Sequence, residues 1–276
     1  MEPEINIWIG RAEDTWLNVL HDHVESLFQK GTLRSHDHTH HRRVWNLCKA
    51  LMREISRFNS RMDQSLVEGV LIAALFHDVG MASSIREDHG RLSRERCEQW
   101  FRETGRDLPE RYGEILRAIE LHDRKDDQIY GAFDPDSTPE ILAILSVADD
   151  LEALGTIGIY RYAEIYVRRG IPAEDLGTRI LNNAEIRFEK LAQACSLCPR
   201  LLEKYRKEYD VLNDFYERYN RQLKDKGNTD RVKTGPLGVI NYIRRQNFNP
   251  TDRDGAGKGP GEYFKKLEYE LEQARL

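Results

Sequence analysis

The sequence predicts an all-α fold, with a helical bundle over residues 1–225 followed by an appended C-terminal segment over 226–276. Three observations carry this. Glu, Arg, Leu and Ala are plentiful, while the 276 residues include only 9 prolines, a balance that favours helix almost throughout. Runs of β-branched residues are short, which argues against strands. Apolar residues recur at helical spacing, as in Val67, Val70, Leu71, Ala74 and Leu75.

Taken in order, the pattern places helices over 13–29, 39–57, 64–78, 89–104, 110–122, 139–153, 158–168, 173–192 and 198–225, with ends set to within ~2–4 residues. Gly80 stops the third helix just after a His-Asp pair. Residues 126–136 form a loop with Gly131 and Pro135. Thr138-Pro139-Glu140 starts the helix of ILAILSVADDLEAL, and Gly155 and Gly158 break that run. From about Lys226 turn residues surround one short apolar run, PLGVINYI, and a Glu- and Lys-rich helix over 262–274 closes the chain. The segment reads as an arm packing on the main domain or on a partner. Its stretch from Gly255 to Pro260 lacks the leading glycine and the Ser/Thr after Lys258 that a phosphate loop requires, so it reads as a linker.

The net charge of −5 and pI near 6.0 argue against a general grip on nucleic acid. No segment is expected to span a membrane, which needs ~20 apolar residues. The opening MEPEINIWIG has no basic n-region followed by an apolar run, so the expected location is cytoplasmic. Cys48, Cys97, Cys195 and Cys198 are then expected as free thiols inside helices. Cys195-Ser-Leu-Cys198 has no second pair to make a zinc site and no strand before it, and reads as two small residues on one helix face.

The histidines are unevenly placed. All 9 fall between His21 and His122, and none lies in the 154 residues that follow (276 − 122). Four His-Asp dipeptides occur, at 21, 36, 77 and 122, so the dipeptide alone decides nothing. Only His77-Asp78 follows an unbroken apolar run, LIAALF, and an ionised Asp beside such a core is costly unless it is paired or binds a metal. Asp149 repeats the signal after ILAILSVA: a buried Asp–Arg pair or a metal ligand would satisfy it, and the upstream histidines favour the metal. In SHDHTHHRRVW, Val44 and Leu47 extend the apolar stripe on which His40 is the first turn. His40 is therefore the interior ligand, with His36 beside it toward the substrate. His38 and His41 are expected to face solvent, and His21-Asp22-His23 to lie on a surface helix. His40, His77, Asp78, His89, His122 and Asp149 together make a His/carboxylate set suited to a divalent metal.

SHDHTHHRRVW, LIAALFHDVG and SVADDLEALGTIGIYRY resemble the HD-domain superfamily of metal-dependent phosphohydrolases over roughly residues 35–165. The His of the family's HxxRV motif is matched by His40, its HD pair by His77-Asp78 and the Asp of its ADxL motif by Asp149. His89, in His89-Gly90-Arg91-Leu92-Ser93, and His122, ending RAIELH, are similar to the two further histidines of dinuclear members. The resemblance implies two divalent transition-metal ions, with Mn, Fe, Zn, Co and Ni equally compatible, bridged by Asp78. The HHExxDGxGYP motif of the cyclic-dinucleotide subgroup is absent after His122, where HDRKDDQIYG stands, so that substrate is not implied.

The implied activity is hydrolysis of a nucleotide or other small phosphate ester by metal-activated water, with His77 and Asp78 at the catalytic centre. His36, Arg124 and Arg161 are the candidate substrate-binding residues, and Arg43 is a candidate for locking helices together by pairing with an acidic residue. The expected partner is a small phosphorylated substrate, with neither nucleic acid nor membrane, and an oligomer is left open. Two rivals share the resemblance: a mixed-valence di-iron oxygenase with the same ligand set, and a non-catalytic nucleotide-sensing or partner-binding module.

Overall fold

The computed structural model describes residues 2–28, 33, 35–86, 88–124, 132–226 and 231–248. Among them there are helices and no strand, as the sequence predicts. The expected helix over 262–274 and the linker at 255–260 lie outside the described residues. The chain divides into two compact units: Met1–Glu152 with Glu189–Lys204, and Ala153–Phe188 with Tyr205–Leu276.

In the first unit, α1 (Glu2–Ala12), a π-turn (Glu13–Leu17) and α2 (Asn18–Phe28) run on from one another. The helix thus begins at Glu2 rather than near 13. Ile5, Ile9, Ala12, Trp16, Leu20, Val24 and Phe28 are all buried. From Ala12 onward that stripe repeats every fourth residue, longer than the 3.6-residue period, so a regular helix would rotate it off the core. The π-turn, which takes up an extra residue, brings Trp16 back into line.

Two short acidic caps start the next helices. The Asp37 carboxylate accepts the Thr39 and His40 backbone N–H groups at the head of α3 (His38–Ile55). Asp63 accepts the Leu66 N–H, at 2.7 Å, at the head of α4 (Gln64–Phe76). Helix α4 is apolar on every side and buried from Gly69 through Phe76, the signature of a central core helix. By length and composition alone Gln64–Ala82 could cross a membrane, contrary to the expectation that no segment could; 83% of that window is buried inside the protein. A 3-10 turn (Val79–Ala82) follows, then α5 (His89–Thr104), α6 (Tyr112–Leu121) and α7 (Ile141–Glu152).

In the second unit, α8 (Gly155–Arg168), much of α9 (Ala173–Ala194), most of α10 (Pro199–Lys226) and α11 (Gly235–Phe248) share a core of Ile159, Leu176, Ile180, Leu212, Phe215, Tyr216, Tyr219, Leu237 and Ile240. The sequence gives no warning of α11. Gly235, Pro236 and Gly238 suggest a turn, yet Pro236 stands in the first helical turn, where its missing N–H costs nothing.

Cys195 and Cys198 are not on one helix face. They occupy the turn between α9 and α10, because Pro199 opens a new helix rather than continuing the old one. Both are buried free thiols that hydrogen-bond to each other.

Candidate metal centre

The first unit gathers its chemistry at helix ends. His40 stands in the first turn of α3, under the Asp37 cap. His77 and Asp78 leave the C-terminus of α4, His89 opens α5, and His122 follows the last residue of α6. Asp149 alone comes from a helix interior, that of α7. Two glycines permit the close approach. A Cβ on Gly80 would lie 2.2 Å from the His89 carbonyl oxygen, and one on Gly90 would lie 2.5 Å from that of Glu120. The Ser93 hydroxyl accepts the Gly80 N–H at 2.8 Å, and the Ser146 hydroxyl donates to the His122 carbonyl at 3.0 Å.

All six predicted ligands meet in one buried cluster. His40 and His77 are 0% exposed, and Asp78 and Asp149 each 3%. Asp78 is its hub: one oxygen lies 3.1 Å from His122 Nε2 and 3.4 Å from His89 Nε2, the other 3.3 Å from His40 Nε2 and 3.6 Å from His77 Nε2. Asp149 Oδ1 lies 3.8 Å from His40 Nε2 and 3.9 Å from His77 Nε2. Two triads, His40–His77–Asp149 and His77–Asp78–His122, each bring three donor atoms within 4.8 Å of one another.

The hydrogen bonds set the tautomers. Nδ1 of His77, His89 and His122 faces the carbonyl of the residue three earlier (Ala74, Arg86 and Ile119) at 2.8–2.9 Å. A carbonyl only accepts, so Nδ1 carries the proton and Nε2 turns its lone pair into the cluster. His40 Nδ1 lies 3.2 Å from a Glu152 carboxylate oxygen, an ion-pair distance without hydrogen-bond geometry, and its proximity favours the same tautomer. Nε2 of His40 and His77 then oppose each other at 3.1 Å, lone pair to lone pair. A shared cation relieves that repulsion, and the four imidazoles and two carboxylates are donors suited to a divalent transition metal. The residues therefore fit the metal that the sequence leads one to expect.

Electrostatics agree with this arrangement for His77 and Asp78. Burial pushes His77 down to about 4, so the ring is neutral near neutral pH. Burial works to raise Asp78, but His77, His122 and His40 outweigh it and hold the carboxyl well below its ordinary value. His122 differs: its hydrogen bond to Asp78 raises it despite its burial, favouring a second proton, on Nε2.

His36 joins the cluster: Nε2 is 3.9 Å from Asp78, while Nδ1 meets the Ser35 hydroxyl at 2.7 Å. Arg124 is exposed, two residues beyond His122. Arg161 is buried on α8, in the second unit. His38 is partly exposed at the head of α3, 3.9 Å from Glu25.

His41 is not at the surface. It is 0% exposed, with ring centroids 5.0 Å from His77 and 5.4 Å from Phe28. The cause is a double stripe on α3: His40, Val44, Cys48 and Leu51 are buried, and so are the adjacent His41, Trp45 and Met52. Trp45, four residues on from His41, is the sequence signal for that second row. Glu152 is likewise not foreseen as part of the site, although an acidic residue one turn beyond Asp149 in an apolar helix is a signal of the same kind.

Residues 37–154 match the family model of the HD domain. No curated protein and no solved structure matches the chain.

Proposed function

Because this chain belongs to the HD-domain superfamily through residues 37–154, we propose that it is a metal-dependent phosphohydrolase acting on a nucleotide or another small phosphate ester. The observation that carries the proposal is the convergence of four histidine Nε2 atoms and two carboxylates in one buried cluster. In this reading His40, His77, Asp78 and Asp149 would hold one ion, and His89 and His122 with Asp78 would hold a second. Bound divalent ions supply Lewis acidity, making water more acidic and drawing charge from phosphoryl oxygens.

The chain's own residues do the rest. Asp78 and Asp149 offset cationic charge where the structure has removed water. The carbonyls of Ala74, Arg86 and Ile119 fix three imidazoles so that their Nε2 atoms need no reorientation on binding. His36, beside Asp78 but tied outward to Ser35, is placed to hydrogen-bond a phosphoryl oxygen or to hand a proton to a leaving oxygen. Arg124 supplies positive charge for the phosphate. No cysteine is suited to nucleophilic attack: all four are buried, and burial pushes the Cys48 and Cys97 thiols up. Four free cysteines also support a reducing, cytoplasmic setting.

The test measures metal content and turnover together. Wild type and His77→Ala are purified without chelator, analysed by elemental mass spectrometry, and assayed on a panel of phosphate esters with and without oxygen. Two ions per chain that are lost in His77→Ala, with oxygen-independent phosphate release, is the expected result. Iron with oxygen-dependent substrate loss would replace hydrolysis by oxygenation. Absence of metal after reconstitution with Mn²⁺, Fe²⁺ or Zn²⁺ would leave only a binding module.

A further inference from the structure

We propose that Glu152 is a positioning residue for the metal centre, acting through His40 and held in place by Arg43; this rests on the metal-dependent reading above. Glu152 is the last residue of α7, one helical turn beyond Asp149, and is only 4% exposed. Its two oxygens are used differently: Oε2 lies 3.2 Å from His40 Nδ1, and Oε1 accepts Arg43 Nε at 2.5 Å. Arg43 also donates to the Thr39 hydroxyl at 2.8 Å, and the Thr39 backbone N–H donates to Asp37, the cap of the same helix, at 2.9 Å. One continuous network therefore ties the first turn of α3 to the end of α7.

Glu152 sets His40 apart from the other three histidines of the cluster. His77, His89 and His122 each anchor Nδ1 on the carbonyl three residues earlier. For His40 that residue is Asp37, whose carbonyl already accepts the His40 backbone N–H at 3.0 Å. His40 Nδ1 turns instead toward a carboxylate oxygen on another helix, 3.2 Å away. A carboxylate does more than a carbonyl: it makes the imidazole a stronger base and a stronger ligand. His40 is thus the one histidine of the four whose donor strength is set by a charged partner, and a change at residue 152 tunes the site without removing a ligand.

The bland alternative is that Arg43–Glu152 only locks two helices, in which case any effect on metal is indifferent to His40. The deciding experiment is a double-mutant cycle on the full-length protein, stripped of metal and titrated with Mn²⁺ alone by calorimetry, with circular dichroism and melting as folding controls. Glu152→Ala is expected to weaken the tighter ion ~10–100-fold. Glu152→Gln keeps an oxygen acceptor, is expected to lose less, and serves in place of the alanine variant if that one does not fold. In a His40→Ala background the Glu152 substitution is expected to cost nothing further. Affinity within threefold of wild type for folded Glu152→Ala and Glu152→Gln, or an equal loss with and without His40, would overturn the proposal. Failure of the wild type to bind Mn²⁺, Zn²⁺ or Fe²⁺ would instead sink the metal reading beneath it.

Discussion

The two units differ in how densely they bury titratable side chains. In the second unit, buried tyrosines are closed off by backbone: the Tyr216 hydroxyl donates to the Ile159 carbonyl at 2.7 Å, and that of Tyr219 to the Ala173 carbonyl at 2.9 Å. These two tips have neutral partners and their rings act as core, although the unit also buries Arg161 and Glu164, the latter accepting the Tyr160 hydroxyl at 3.3 Å. In the first unit the buried histidines and carboxylates among the described residues are His36, His40, His41, His77, Asp78, His89, His122, Asp149, Asp150 and Glu152. His36, His40, His77, His89 and His122 all approach Asp78, and His40 also approaches Asp149 and Glu152. A domain built for stability alone would not hold such a set, because crowded charge and opposed lone pairs in a dry interior are costly. The contrast teaches where to look: function lies where histidines and carboxylates crowd one buried point, stability where the interior is mainly apolar.

The largest effect that would break this comparison is at the hub of the cluster. Asp78→Asn removes the carboxylate that touches all four inward-facing imidazoles, and phosphate-ester turnover is expected to fall at least ~10²–10³-fold, the scale of losing one charge-stabilising group. A ligand that binds only the folded state adds stability, ~2.7 kcal/mol at a hundred times its dissociation constant. Divalent metal should therefore raise the melting temperature of wild type but not of Asp78→Asn, and chelator should lower only the former. Equal melting shifts in the two proteins would mean that metal binds elsewhere.

The converse change belongs to the second unit. Leu212 is 0% exposed in that core, and Leu212→Ala is expected to cost about 2–5 kcal/mol of stability by urea unfolding. Manganese affinity of the folded protein should stay at the wild-type value. Tyr216→Phe is the milder version, at about 1 kcal/mol, since it leaves one carbonyl without its donor and fills the same volume. Loss of metal affinity in either variant would erase the division of labour drawn above.

Much of the first unit was legible because its signals are local. An apolar run ending in His-Asp, a second run ending in Asp149, and histidines confined to the first 122 residues all follow from the cost of burying charge. What escaped needed tertiary information. The burial of His41 depends on α3 being covered along two adjacent rows, which one stripe of apolar residues does not reveal. Glu152 looks like any polar helix end until His40 is found 3.2 Å away. Helix α11 forms against local turn chemistry because Leu237, Val239, Ile240 and Ile243 complete the core of the second unit, and packing overrides propensity there. The start at Glu2 was hidden by a stripe whose spacing of four makes sense only with a π-turn inserted.

The smallest expected effect concerns acid, and it separates scaffold from site within the first unit. Asp63 caps α4, the helix that delivers His77 and Asp78. Partial burial works to raise its pKa, but the Leu66 N–H, the Ser65 hydroxyl and Arg111 outweigh it, so the folded carboxyl sits below its ordinary value. A group whose folded pKa is depressed contributes stability above its unfolded pKa, ~3.9 for Asp, and that contribution is lost as pH falls through the folded value. Asp63→Ala is expected to destabilise the protein by ~1 kcal/mol at pH 7. Asp63→Asn keeps an oxygen for the Leu66 N–H and should cost less. In both variants the part of the acid sensitivity below pH 4 that Asp63 supplies disappears. Because the cap acts on the helix and not on the ligands, metal affinity at pH 7 should match wild type in either variant. A weakened affinity would mean that the end of α4 moves when its beginning frays, and that scaffold and site in this unit are less separable than their chemistry implies.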